Sequence, residues 1–266
     1  MSEVAIVAPL DVHKRLADEG VLGTYQLLLA HEVLADPMQY EYFWRNQKDQ
    51  FIIMDNSLIE LGHPLPVDVV AEAAELVGAK AIVLPDVLGD RAKTYKLFAG
   101  ALEQAKLQNI DTKFKMLGVA QGRTSEETFS CGRDMLKAGA DFLSVPRNLV
   151  KLAGTRMDAV KLLGKLGAHM HLLGFSNNLW DDFYTVHLPG VMGIDSAVPI
   201  WLGMRYNLYD ETPYRLPDTP PVSADYGSRP EGYSQWKGAE LPKYSIENVQ
   251  RVKRWANTVG VVPTGK

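Results

Sequence analysis

Cysteine is almost missing from this chain of 266 residues, which has only Cys131. A lone thiol excludes a disulfide framework and a thiolate zinc cluster, and it suits a reducing cytoplasm. Nowhere do about 18 apolar residues follow one another. The first residues, Met1-Ser-Glu-Val4, contain no basic stretch leading into an apolar one. Neither secretion nor membrane spanning is therefore expected. Positive charge is not in excess either: the net charge is −4, which argues against a surface basic all round and against strong non-specific nucleic-acid binding. The chain also lacks a Gly-x-x-x-x-Gly-Lys segment, a Gly-x-Gly-x-x-Gly segment and a Gly-x-Ser-x-Gly elbow. ATP hydrolysis, dinucleotide-linked redox chemistry and Ser-His-Asp hydrolysis thus have no anchor.

What is present is a core-forming composition, 46% hydrophobic with a mean hydropathy of −0.12, enough for one globular domain. Strand-like runs occur at Val4–Ala8, Phe51–Met54, Ala81–Leu84, Met116–Ala120, Phe142–Val145, His169–Leu173 and Val191–Ile194. Helical patterns fall between them, at Val67–Val77, Arg91–Gln108 and Ser125–Ala138. Short connections in such an alternation imply a parallel sheet with right-handed crossovers, and the length fits a single α/β domain, a TIM-like (β/α)8 barrel. Seven strands stand out and the place of the eighth is open. After Trp201 the pattern gives way to a Pro- and Tyr-rich excursion over about 207–242, read as a lid or substrate-contacting loop, before a closing helix at Ile246–Val259.

Three aspartates stand where apolar runs stop: Asp55 after Phe51–Met54, Asp86 after Ala81–Pro85, and Asp195 after Val191–Ile194. Gln121, after Leu117–Ala120, is a fourth polar strand end. In an alternating barrel those ends ring one pocket. Strand alternation groups Asp195 with Gly193 and Val191, Asp55 with Ile53 and Phe51, Asp86 with Leu84 and Ile82, and Gln121 with Val119 and Leu117. Gly193, below the aspartate, leaves room. An isolated aspartate after a strand is more often a helix N-cap, as Asp90 is expected to be for the helix at Arg91. Convergence of several at one rim is what favours a site.

The segments Ile53-Met-Asp-Asn-Ser57, Leu84-Pro-Asp-Val87, Leu117-Gly-Val-Ala-Gln-Gly122, His171-Leu-Leu-Gly174 and Gly193-Ile-Asp-Ser-Ala-Val-Pro199 stand in one order. In that order, over roughly the first two hundred residues, the chain resembles the queuine and archaeosine tRNA-guanine transglycosylases. It is most similar to their short, phage-type relatives that place 7-deazaguanines in DNA. The resemblance implies base exchange at a sugar C1′ through a covalent intermediate, with retention of configuration. Asp195 would be the nucleophile and Asp55 the general acid and base. Asp86 would read the guanine edge and Gln121, beside Gly122, the base carbonyl. Asn56, His171 and Gly174 would line the pocket, and the backbone at Ser144 and Val145 would add a contact. No cofactor and no metal are implied.

The chain also departs from that family. Asn56-Ser-Leu58 stands where the family has a glycine pair, and Ile59 does not replace the base-stacking aromatic, leaving Phe175, Trp201 or Tyr206 for that role. The family's zinc-binding extension, which supports tRNA binding, cannot be built from Cys131 alone. DNA is therefore the expected nucleic-acid partner, with tRNA the alternative and a free 7-deazaguanine the second substrate. A guanosine in duplex would have to flip out at a cost of a few kcal/mol. Arg147, Arg205 and a C-terminal cluster of Lys237, Lys243, Arg251, Lys253 and Arg254 with Trp236, Tyr244 and Trp255 are candidate phosphate contacts. For Arg147 an ion pair is an equal reading, and for the cluster a solvated amphipathic helix is the better one. A protein partner or a homo-oligomer remains open, as does the host cytoplasm as location if the chain is phage-encoded.

Two rivals are kept. His169-Met-His171 could chelate a divalent metal in a barrel hydrolase. Against that stands the plainer reading in which one histidine packs and the other hydrogen-bonds at the rim. The second rival is a non-catalytic base-binding relative.

Overall fold

The computed structural model describes residues 3–176, 178–204 and 243–259. Within them eight strands form one sheet: β1 (Val4–Ile6), β2 (Tyr25–Leu29), β3 (Phe51–Asp55), β4 (Ala81–Val83), β5 (Lys115–Val119), β6 (Phe142–Val145), β7 (His169–Leu172) and β8 (Val191–Ser196). Their spatial order is β1-β8-β7-β6-β5-β4-β3-β2 and every ladder is parallel. The end strands β1 and β2 lie against each other, so the sheet curls into a nearly closed TIM-like (β/α)8 barrel.

The chain returns on the outside. After β1 comes α1 (Leu10–Asp18), after β2 come α2 (Ala30–Ala35) and α3 (Pro37–Arg45), and after β3 come α4 (Leu58–Leu61) and α5 (Val67–Val77). Next are α6 (Arg91–Leu107), α7 (Ser125–Ala138), the pair α8 (Arg147–Ala153) and α9 (Arg156–Gly164), then α10 (Leu179–Thr185), α11 (Val198–Met204) and the closing α12 (Lys243–Val259). Local chemistry sets these boundaries. Asp90 caps α6 by accepting from Lys93 N at 3.0 Å, as expected, and Thr124, Thr155 and Asn178 cap α7, α9 and α10 in the same way. Gly78 ends α5 with φ of 70°, a left-handed C-cap that a β-carbon would disfavour.

The strand without a place in the sequence is β2, early in the chain rather than beyond Trp201. Tyr25-Gln-Leu-Leu-Leu29 is buried throughout and runs into α2 with no glycine or proline between, so its apolar spacing merges with that of a helix. Five ladder positions against β3 make it a strand. The expected excursion at about 207–242, with Trp236 and Lys237, and the residues Arg205 and Tyr206, lie outside the described residues.

Register decides which side chains enter the barrel. Tyr25 of β2 reaches His171 of β7 across the interior, and Tyr25 pairs with Phe51, Ile53 with Ala81, and Ser144 with His171. Paired residues of parallel strands share a face. Asp55, Ile53, Phe51, Val119, Ser144, His171, Gly193 and Asp195 therefore line the inside. Ala81 and Val83 take the inward face of β4, so the column Ile82 and Leu84, expected to end in Asp86, faces the helices. The ladder stops at Val83, and the loop beyond it, not alternation, aims Asp86.

The last helix begins at Lys243, slightly earlier than expected, and buries Ile246, Val249, Val252 and Ala256 against α11 and the barrel. Ser245 Oγ and Asn248 Nδ2 donate to the carbonyls of Ile200 and Pro199 at 3.2 and 3.3 Å. Two of its basic residues are engaged, while Lys243 and Arg254 are exposed. Lys253 Nζ donates to the Leu22 carbonyl at 2.6 Å, at the end of the barrel away from the strand C-termini, and burial lowers its pKa to about 8. Arg251 pairs with Glu247 at 3.0 Å. The described part of the C-terminal cluster is thus a packed amphipathic helix.

Candidate active site

Asp195 is the best-organised group at the mouth. It lies within β8 with 8% of its surface exposed, and its Oδ1 faces His171 Nε2 at 3.0 Å and accepts from Gly174 N at 3.1 Å. No hydrogen bond among the described residues engages its Oδ2, and the side chain keeps 12% of its surface exposed. His171, fully buried, turns its other nitrogen, Nδ1, to the Tyr25 hydroxyl at 2.7 Å. The room left by Gly193 is filled by that tyrosine: a β-carbon there would lie 2.6 Å from Tyr25 Cε1 and 2.7 Å from the Glu3 carbonyl oxygen. Gly174 adopts a φ of 65° and directs its N–H at the carboxylate.

A buried ion pair supports that loop. Arg156, at the start of α9, faces Asp182 of α10 at 3.0 Å, and neither side chain is exposed. The same guanidinium donates to the carbonyls of Val145 (3.2 Å), Leu173 (3.4 Å) and Gly174, while Asp182 Oδ2 accepts from Ser176 N at 2.6 Å. Burial raises the pKa of Asp182 and the Arg156 charge opposes the rise. One arginine thus ties together the ends of β6 and β7, the latter beside the strand of Asp195.

Asp55, at the end of β3, is held more loosely. Its Oδ2 accepts from Ser57 N at 2.8 Å, in a turn where Ser57 takes a left-handed φ of 60°. Burial raises its pKa to about 7; the Ser57 N–H opposes the rise and the charges of Asp86 and Asp195 add to it. Glu60, on the one-turn helix α4, shares this corner and has no motif to mark it in the sequence. Its Oε2 is buried with no hydrogen-bond partner among the described residues, and burial together with Asp55 raises its pKa to about 8.

Asp86, 4% exposed, is clamped. Asn56 Nδ2 donates to its Oδ1 at 3.1 Å and Gln121 Nε2 to its Oδ2 at 2.8 Å. Burial raises its pKa to about 6, against both amide donors. Gln121 Oε1 in turn accepts from Gly89 N and from Asn148 Nδ2, so the amide is oriented on both ends. Asn56 also donates to the Leu84 carbonyl and accepts from Leu58 N, which makes it a brace for Asp86 rather than a contact group.

The other expected residues divide by what they touch. Gly122 lets the loop approach α7: a β-carbon would meet Thr128 N at 2.6 Å. The Val145 carbonyl is taken by Arg156 and by Leu173 N, and the Ser144 carbonyl accepts from Ala120 N. The Ser144 hydroxyl points inside, buried and without a partner among the described residues. Phe175 is fully buried edge-on against Phe183, their centroids 5.8 Å apart, and offers no face to a base. Trp201 packs partly buried on the core. Arg147 opens α8 at the end of β6, half-buried, with its pKa lowered by burial and by the nearby Arg156.

The histidine pair divides as well. His169 is exposed and lies edge-on to Phe142, with centroids 6.1 Å apart, whereas both nitrogens of His171 face protein groups. Among the described residues no three His, Cys, Asp or Glu side chains gather in a way that would hold a metal ion. Cys131 lies buried in α7 with its thiol pKa raised by burial, which disfavours the reactive thiolate. No described helix is long and apolar enough to cross a membrane. Comparison with known proteins finds no matching family model and no curated relative for this chain.

Proposed function

We propose that the chain is a guanine transglycosylase that exchanges guanine in DNA for a 7-deazaguanine base through a covalent aspartyl-sugar intermediate. One observation carries the reading: a single mouth holds a carboxyl fixed by two donors on one oxygen, Asp195, within electrostatic reach of a second carboxyl, Asp55, whose pKa burial raises to about 7. Two carboxyl groups in unlike surroundings, one fixed by donors and one with a raised pKa, suit the nucleophile and acid roles of double displacement at an anomeric carbon.

In the first displacement Asp195 Oδ2 bonds to C1′, the bond from C1′ to the base nitrogen breaks with its electron pair leaving on guanine, and Asp55 supplies the proton. In the second, Asp55 takes a proton from the incoming base, its nitrogen bonds to C1′, and the electron pair returns to Asp195. Asp86 and Gln121, fixed by Asn56, Asn148 and Gly89, present an oriented acceptor and a remaining amide N–H to the base edge. Arg147 stands near enough to the mouth to meet a phosphate. DNA is favoured over tRNA because one buried cysteine cannot supply the zinc-binding part associated with tRNA.

Covalent capture tests this directly. A guanine-containing oligodeoxynucleotide, mixed with protein and denatured, should yield a protein-linked adduct released by free 7-deazaguanine base and missing in Asp195→Asn. An adduct that persists in Asp195→Asn would place the nucleophile elsewhere.

A further inference from the structure

We infer that Tyr25 and His171 are positioning residues for Asp195: a neutral His171, carrying its proton on Nε2 and held by a hydrogen bond from Tyr25, pins Oδ1 so that Oδ2 alone reacts. The inference deepens the transglycosylase reading and rests on it for the identity of the reaction.

The argument is an accounting of hydrogens among buried groups. A carboxylate only accepts, so His171 Nε2, 3.0 Å from Asp195 Oδ1, must carry a hydrogen. The other nitrogen faces the Tyr25 hydroxyl at 2.7 Å. If Nδ1 were protonated too, Tyr25 would accept there, and its own hydrogen would be buried with no other acceptor among the described residues. Leaving a buried donor unpaired costs about 1–3 kcal/mol. The neutral Nε2–H form satisfies all three groups: Tyr25 donates to Nδ1 and Nε2–H donates to Asp195. Burial, with the Asp195 charge adding to it, holds the tyrosine pKa well above its ordinary value, so the hydroxyl remains a donor.

Shape enforces the same arrangement. Tyr25 stacks on Phe51, with planes 5° apart and centroids separated by 5.7 Å, and fills the space that Gly193 leaves open. The Gly174 N–H adds a second donor to Oδ1. When Oδ2 bonds to C1′ and the base departs, Oδ1 becomes the ester carbonyl oxygen between these donors. As the incoming nitrogen bonds to C1′ and the ester bond breaks, the electron pair returns to a carboxylate whose charge the same donors stabilise. The dyad itself transfers no proton.

Nitrogen-15 NMR of the histidine rings, assigned by loss of signal in His171→Gln, reads the protonated nitrogen without any substrate. Wild-type protein should show a single neutral Nε2–H form for His171, and Tyr25→Phe, which keeps the ring and its packing but leaves Nδ1 without a donor, a fraction of rings protonated on both nitrogens. In base exchange Tyr25→Phe should lower kcat about 10-fold with little change in KM, as loss of an outer-shell orienting contact typically does. His171→Gln, which retains an N–H donor, should keep more activity than His171→Leu. An Nδ1–H or doubly protonated ring in the wild type would overturn the inference, as would a Tyr25→Phe protein unchanged in both ring state and kcat. Absence of base exchange from every protein would sink the transglycosylase reading alone, because the ring signals would still decide the dyad.

Discussion

The β7–β8 side of the barrel mouth and the β3 side present the same functional group, a carboxyl at the end of an inward-facing column, and surround it in opposite ways. Asp195 is fixed by His171, Gly174 and, behind them, Tyr25 and the Arg156–Asp182 pair. Asp55 has a backbone N–H on one oxygen and two further carboxylates in electrostatic reach. The first environment fixes one oxygen in place, the second favours a retained proton. Asp86 makes the contrast sharper: it is more deeply buried than Asp55, yet with two amide donors its pKa rises to about 6, against about 7 for Asp55. Burial raises both Asp55 and Asp86, and the hydrogen-bond partners differ from one carboxyl to the next.

Removing the fixed charge should have the largest effect. Asp195→Asn keeps an oxygen for His171 and Gly174, so the fold should survive while base exchange falls about 10⁴-fold or more, the usual consequence of losing a nucleophile. Steady-state exchange of labelled guanine would measure it. Asp55→Asn should lower the same rate about 10²- to 10⁴-fold and stabilise the protein at alkaline pH. The sign follows from the raised pKa: Asp55 is protonated in both folded and unfolded chains below about 4, and folding loses stability as pH rises through about 7. The variant should therefore gain on the order of 2 kcal/mol at pH 8, and almost nothing at pH 4, in paired denaturant titrations.

Behind the fixed side, Arg156→Ala leaves Asp182 buried without its cation and should cost about 3–5 kcal/mol of stability, read as a lowered Tm. On the clamped side, Gln121→Ala removes one of two donors to Asp86 and should cost about 1–3 kcal/mol. The smallest effect distinguishes the proton-holding corner itself. With Glu60→Gln the alkaline limb of the rate profile should retreat from about 8 toward 7, because Asp55 and Glu60 no longer share the last proton. A limb that stays in place would separate Glu60 from Asp55.

The strand ends were readable because buried parallel strands leave continuous apolar runs, and a polar residue closing such a run is conspicuous. Asp55, Asp195 and Gln121 were legible for that reason, and the space at Gly193 was legible without its occupant. Tyr25 was hidden because β2 flows into α2 and reads as one helical segment. Arg156 follows the N-cap Thr155 and looks like any first-turn arginine until α10 brings Asp182 to it. Glu60 sits on a single helical turn whose direction depends on the left-handed Ser57, and residue spacing carries no trace of it. Strand alternation turns the column below Asp86 toward the helices, so its aim comes from Asn56 and Gln121 across the loop and not from residue spacing.

Mass spectrometry of nucleosides recovered from guanine-containing DNA and from tRNA, each incubated with the protein and a 7-deazaguanine base, is the most direct test of the central claim. The account predicts the modified nucleoside in DNA alone, with none formed by Asp195→Asn. Incorporation into tRNA instead would move the substrate to RNA. Incorporation into neither, or an Asp195→Asn protein as active as the wild type, would contradict the assignment.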